Sequence, residues 1–235
     1  MTPKIANIGK YKVTYFNKPE LQTLKKEIFQ DEIYSIDLKC KKENTINILD
    51  VGSHIGLSVL YFKAQYPNSK IICFEPNPNV FPLLEENIFY NNLTNVTILN
   101  IALGKNSSKR NLHIDSSGYG AFSTASFRKN AWNGKQKSRV IEVKTEPLSK
   151  YIKKTVDLVK LDVEGVELEI LKELDESDCF KNIKNMFIEY HPSKGQNIEN
   201  LLKILKRNSF RLEYFQDGDK LQEPSEELIL VIAKK

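Results

Sequence analysis

Cysteine is scarce in this sequence, and no spacing pairs what there is. Cys40, Cys73 and Cys179 are the only three in 235 residues. They are odd in number, far apart, and form no CxxC, which excludes a disulfide framework and a cysteine-based zinc site. Long apolar runs are also missing. No stretch approaches the roughly 18–20 residues that cross a bilayer, so no membrane span is expected. The opening Met1-Thr2-Pro3-Lys4-Ile5 has no apolar core followed by a small-residue cleavage site, so no signal peptide is read there. A reducing cytoplasm is the expected location. Two phosphate-binding signatures are absent as well: there is no GxxxxGK[ST] loop and no GxGxxG. Internal repeats and linkers are not evident.

What is present is an ordinary globular composition, 40% hydrophobic and 28% charged, with a formal charge of +5. Lysine supplies most of the positive charge. It often stands beside an acid, as in Lys25-Lys26-Glu27 and Lys41-Lys42-Glu43, which reads as a solvated surface. Nucleic-acid binding would need a basic stripe with interleaved aromatics. The nearest candidate, 129–139, is a poor match, so nucleic acid is not an expected partner. Oligomeric state is not legible. The length suits one large α/β domain over 1–235, since such domains reach about 200–250 residues. A strand-and-helix extension would occupy 1–42, and an insertion with extra strands 105–150.

Tyr11-Lys12-Val13-Thr14-Tyr15-Phe16 alternates as a short strand. Residues 19–41 read as one or two helices, with Asp31 capping the second. Strands then alternate with helices. Strands fall at 46–51, 70–74, 96–100, 156–161 and 185–190; helices fall at 56–65, 78–91, 167–173 and 197–208. This alternation predicts right-handed βαβ units on a parallel sheet. The apolar strands predict helices on both faces. Cys73 lies in such a strand and is read as core. Strands at 112–114 and 139–144 interrupt the pattern. The polar stretch 116–127 between them reads equally as a surface loop or a lid. Strands at 210–215 and 228–233, joined around Asp217-Gly218-Asp219, predict an antiparallel final pair.

The first strand ends in Asp50-Val51-Gly52-Ser53-His54-Ile55-Gly56. Gly52 lets the backbone turn sharply and approach a ligand. Gly56 lets the next helix pack closely. Ligands of open α/β sheets bind beyond the carboxyl ends of the strands. A glycine pair alone is a weak signal, and Glu75 strengthens it. Glu75 ends the second strand about 20 residues on, where a carboxylate accepts hydrogen bonds from ribose hydroxyls. Pro76 and Asn77 turn the chain after it. S-adenosylmethionine has a ribose but no phosphate, which suits a ribose acid without a phosphate cradle.

A later strand delivers Asp162 to its carboxyl end, with Glu164 two residues on, in Lys160-Leu161-Asp162-Val163-Glu164-Gly165-Val166-Glu167. Two such acids can orient a hydroxyl, accept its proton, or hold a divalent ion. Close carboxylates also raise one another's pKa. Acids that merely open a helix are the plainer reading, and that reading is taken for Glu167. Glu189 and His191 stand at the next carboxyl end, and His191 is a third candidate base. His54 is expected to offer backbone contacts only, and His113 is assigned no role.

These residues resemble the FkbM-type methyltransferases. The strand-one motif, Phe74-Glu75-Pro76-Asn77, Ala102-Leu103-Gly104 and the 159–167 run carry the resemblance, which extends from about Ile46 to His191. It implies a Rossmann-like class I methyltransferase fold: an α/β protein with a mostly parallel seven-stranded sheet, an antiparallel last strand, and helices on both faces. It implies methyl transfer from S-adenosylmethionine to a hydroxyl of a sugar or small metabolite. By matching position, Gly52, Ser53 and Gly56 border the methionine and ribose, Glu75 holds the ribose, and Ile101 and Ala102 edge the adenine. Asp162 and Glu164 face the donor methyl and the acceptor. Residues 123–126 resemble the family's small-residue segment. Thr145-Glu146-Pro147-Leu148-Ser149 departs from the family's Thr-Leu-Asp run. Three rivals have distinct signatures: an amine- or nucleic-acid-directed methyltransferase, a non-catalytic binding module, and a nicotinamide-dependent enzyme. The first usually carries Asn/Asp-Pro-Pro-aromatic where Asp162-Val163-Glu164-Gly165 stands.

Overall fold

The computed structural model describes residues 2–38, 43–115, 123–128 and 138–235. Cys40, residues 39–41 of the expected N-terminal helices, 116–122 of the polar stretch and 129–137 of the basic stretch lie outside the described residues.

Strands β1 (Lys4–Ile8) and β2 (Tyr11–Tyr15) form an antiparallel hairpin. Helix α1 (Lys18–Lys25) starts at Asn17, whose side-chain oxygen accepts the N–H of Glu20. It runs on into one π-helical turn, Lys26–Gln30. The expected second helix with Asp31 as its cap does not form among the described residues. Asp31 instead closes the first helix: its N–H donates to the Lys26 carbonyl, and its carboxylate meets Lys26 Nζ at 2.6 Å. The chain beyond is fixed by burial of Tyr34 against Phe62 and Phe187, not by helical spacing.

The alternating part follows as β3 (Asn47–Val51), α2 (Leu57–Gln65), β4 (Lys70–Phe74), α3 (Phe81–Tyr90) and β5 (Val96–Leu99). The insertion supplies β6 (Ala102–Leu103), β7 (Ser108–Asp115) and β8 (Ser138–Glu146). The alternation resumes with β9 (Leu158–Leu161), α4 (Glu167–Glu176), β10 (Asn185–Tyr190), α5 (Ile198–Arg207), β11 (Arg211–Gln216), β12 (Asp219–Leu221) and β13 (Ile229–Lys234).

The main sheet has the order β12-β11-β13-β10-β9-β3-β4-β5. Strands β10, β9, β3, β4 and β5 pair in parallel, and β13 is antiparallel to both neighbours. The expected seven strands and antiparallel last strand are therefore present, with β12 as an added eighth at one edge. The turn at Asp217 and Gly218 does not lead straight to β13 as expected. Both residues have positive φ, and they close a tight hairpin onto β12 first. The insertion strands form a separate sheet of order β6-β8-β7.

Period-two alternation splits the core into two layers. Leu49, Val51, Val159, Leu161 and Ile188 face α4 and α5. Ile48, Leu158, Ile71, Cys73 and Phe187 face α2, α3 and the N-terminal hairpin. Asn87 ties that hairpin down: it is fully buried, accepts the Thr14 N–H at 2.6 Å, and donates to the carbonyls of Thr14 and Ile55. The carboxyl ends of β3, β4, β9 and β10 consequently meet along one edge, where the motif residues lie.

Candidate active site

The glycine turn is held by contacts that allow no side chain. Gly52 has φ +84°, and a Cβ there would come 1.8 Å from the Asp162 carbonyl oxygen. The ends of β3 and β9 can touch only because this residue is glycine. Gly52 and Ser53 donate their N–H groups to the Phe74 carbonyl, and Ser53 Oγ donates to the Asp50 carbonyl. Gly56, at φ +88°, brings Leu84 Cδ1 within 2.7 Å of where a Cβ would stand. Lys160 closes the arrangement from below. Its ammonium donates to the Gly52 carbonyl at 2.7 Å and lies 3.1 Å from Asp162 and 3.6 Å from Asp50. Burial opposes the lysine charge, but Asp162, Asp50 and Glu189 outweigh it and raise the pKa above the ordinary lysine value.

Glu75 ends β4 almost fully buried. Its Oε2 accepts the His54 N–H at 2.9 Å and its Oε1 accepts the Asn77 N–H at 2.8 Å. Burial raises its pKa, while those two bonds and the charge of His54 oppose the rise. Each carboxylate oxygen has a lone pair left over, as ribose recognition requires. Glu75 lines a crevice with Gly52, His54, Pro76, Ile101, Ala102, Asp162 and Glu164. Ser53, Gly56, Asn77 and His191 are not among the residues that line it. The crevice holds about 60 Å³ of free volume, and Ser123, Ala125 and Phe127 form one of its walls.

Asp162, Glu164 and His191 present oxygen and nitrogen atoms within 4.8 Å of one another. Glu164 sits in a left-handed turn, φ 54°, which is costly for a residue with a Cβ. The segment 123–128 supports that turn: Ser126 Oγ donates to the Glu164 carbonyl and Arg128 Nε to the Gly165 carbonyl, each at 2.7 Å. Burial pushes the Glu164 carboxyl up to about 7, Asp162 and Glu167 adding to the rise and His191 opposing it. Glu189, on β10, is pushed up to about 8 by burial and by Asp162.

Sequence reasoning missed one partnership. Glu167 does open α4 as an acid, but its side chain is fully buried and turned inward. It accepts the Gly165 N–H at 2.9 Å and also a bond from Gln196. Its Oε1 lies 2.9 Å from His191 Nδ1, which fixes the ring and leaves Nε2 facing Glu164 at 3.6 Å. Burial opposes the imidazolium, but the Glu167 hydrogen bond and the Glu164 charge overcome it and hold His191 well above its ordinary pKa. The Lys160 role was likewise unread. A lysine inside an otherwise apolar strand, with acids at the ends of two adjacent strands, is the signal that marks it.

Comparison with known proteins bears on the family. Residues 50–212 match the methyltransferase FkbM domain. Methyltransferase sdnD of Sordaria araneosa is 29% identical over 86% of this chain and 88% of its own. The hexuronic acid methyltransferase AglP of Haloferax volcanii is 24% identical over 90% and 83%. Among solved structures, methyltransferase FkbM from Methylobacillus flagellatus superimposes with a TM-score of 0.56 at 16% identity. That match covers 83% of this chain but only 44% of the other, so the chain spans less than half of that protein, and the likeness shows the shared fold. With a family match over more than half its length and the motif residues gathered at one sheet edge, the chain belongs to the FkbM methyltransferase family.

Proposed function

We propose that this enzyme uses S-adenosylmethionine to methylate a hydroxyl group of a sugar or another small metabolite. The observation that carries this reading is the shared wall: the buried ribose acid Glu75 and the acid pair Asp162 and Glu164 line one crevice. The donor supplies an electrophilic sulfonium methyl. Glu75 holds the ribose, the Gly52 turn borders the methionine part, and Ile101 and Ala102 edge the adenine. Alignment of two bound reactants can supply an effective molarity of up to ~10⁵–10⁸ M. An alcohol is a poor nucleophile until its proton leaves. Glu164, with a pKa near 7, is matched to take that proton at neutral pH. Asp162 orients the hydroxyl, and His191, steadied by Glu167, compensates the charge on Glu164. The relative named as a hexuronic acid methyltransferase favours a sugar hydroxyl among acceptors. A cytoplasmic location and a small-molecule or glycan partner belong to the same reading.

A second reading rests on the donor set Asp162, Glu164 and His191, which could hold a divalent cation that activates the acceptor. The Lys160 ammonium already serves Asp162 at 3.1 Å, and we favour proton transfer to Glu164 without a metal. Turnover should then survive EDTA within about twofold. Loss on chelation, with recovery on adding magnesium, would move acceptor activation to the ion. The test of the function itself is transfer of a labelled methyl from S-adenosylmethionine to a panel of hydroxyl compounds. Asp162→Asn should lower kcat by about 10²-fold or more, the scale of a lost acid–base or orienting group, while donor Kd stays within about threefold. Equal loss of both would contradict a catalytic role.

A further inference from the structure

One wall of the crevice, formed by Ser123, Ala125 and Phe127, belongs to a segment that ties three parts of the fold together. At its start, the Ser123 N–H donates to Glu20 Oε1 on α1 at 2.8 Å. In its middle, Ser126 and His113 of β7 exchange two backbone hydrogen bonds, at 2.7 and 3.0 Å. Phe127 packs under the Arg110 guanidinium, which lies 4.1 Å from the ring centre and is held by Glu169 of α4 at 2.6 Å. At its end, Ser126 Oγ and Arg128 Nε donate to the carbonyls of Glu164 and Gly165.

The two ends act on different halves of the site. Glu164 and Gly165 are consecutive left-handed residues, φ 54° and 102°. A strained turn persists where its surroundings over-determine it. Here Ser126, buried and fixed to β7, and Arg128 hold both of its carbonyls. The fit is close: a Cβ on Gly165 would stand 3.0 Å from Arg128 Nε. The Glu164 carboxyl therefore stands where the insertion holds it. The other end is anchored from outside the residues that match the family, 50–212. Asn17 caps α1, so Glu20 is its third helical residue. A carboxylate there can return to the N-cap N–H as a capping box. Glu20 Oε1 instead reaches 103 residues along the chain to Ser123. Helix α1 thereby fixes the start of the crevice wall.

We infer that residues 123–128 form a two-ended clasp, in which Ser126 and Arg128 are positioning residues for Glu164 and Glu20 is a positioning residue for the wall that the donor meets. The division of roles rests on the methyl-transfer reading, while the clasp itself can be tested without a ligand. Three readouts separate the ends: amide hydrogen exchange in the ligand-free protein, S-adenosylhomocysteine affinity by calorimetry, and kcat at saturating donor on a hydroxyl compound that the wild type methylates. Ser126→Ala and Arg128→Met should speed exchange over 163–167 by about tenfold, the scale of a lost buried hydrogen bond, with β10 unchanged as the control for folding. They should lower kcat by about 10- to 100-fold, the scale of a misplaced catalytic group. The S-adenosylhomocysteine Kd should stay within about twofold, as for independent sites. Glu20→Ala should do the reverse: faster exchange over 123–127, a Kd raised about three- to tenfold, and kcat within about twofold. Glu20→Gln keeps an acceptor oxygen and should behave as the wild type. Unchanged exchange in the variants, loss of affinity and turnover together at both ends, or a Glu20→Gln as impaired as Glu20→Ala overturns the inference. Failure of the wild type to bind S-adenosylhomocysteine would remove the methyl-transfer reading instead, and the exchange pattern would still decide the clasp.

Discussion

Glu167 shows how one side chain can govern a site it does not line. Its carboxylate accepts from Gly165, Gln196 and His191 while fully buried. Glu167→Gln keeps the shape but puts an amide where one of these donors expects an acceptor. It should cost about 1–3 kcal/mol of stability. It should also shift the apparent pKa of the rate profile, because His191 loses its anchor. A stability loss with an unmoved pH profile would leave Glu167 a structural residue only. The protons of the cluster make a second prediction. Folding raises Glu164 to about 7 and Glu189 to about 8 from an ordinary 4.5, and raises His191 above 6.5. The native state therefore holds more protons than the unfolded chain across this range. For these groups the stabilisation is complete below the unfolded pKa and is lost as pH rises through the folded one. The melting temperature should fall between pH 6 and pH 9, and Glu189→Gln should flatten the fall. A rise over that window would contradict the protonated cluster.

The elements divide by how far local pattern controlled them. Strands β4 and β10 were read from sequence to the residue, because each is an apolar run bounded by turn residues. The π-helical turn after α1 was not legible, since an i→i+5 turn leaves no distinct spacing of apolar residues. Strand β1 was missed because its Lys4-Ile5-Ala6-Asn7-Ile8 is short and mostly exposed, and only pairing with β2 defines it. In the site, Gly52, Glu75 and Asp162 were legible because each ends an apolar strand. The inward turn of Glu167 was not, since a helix-opening acid has the same sequence pattern whichever way it faces. The glycine turn gives the prediction at this scale. Gly52→Ala places a methyl against a backbone carbonyl at 1.8 Å, which no side-chain motion relieves. Left-handed strain and overpacking together should cost about 2–4 kcal/mol, and donor binding should be lost. A variant with unchanged melting and donor affinity would show that β3 and β9 do not meet as described.

At the scale of the whole molecule, two clefts differ in chemistry. The donor crevice is narrow and closed on one side by residues from the insertion. The other cleft, between the end of α1 and the β11–β12 turn, is wide and acidic in a molecule of net positive charge. No helix among the described residues is long and apolar enough to cross a membrane. The family fixes the reaction class, and the proposed reading puts the donor on the Gly52 and Glu75 side. That assignment of the donor is the claim on which the rest depends. Calorimetric titration with S-adenosylhomocysteine, with NAD as the control, tests it most directly. One molecule of S-adenosylhomocysteine per chain should bind with Kd on the order of micromolar, about −8 kcal/mol. Binding should be weakened at least tenfold by Glu75→Gln, and NAD should give no heat. Absence of S-adenosylhomocysteine binding, or binding of NAD in its place, would contradict it.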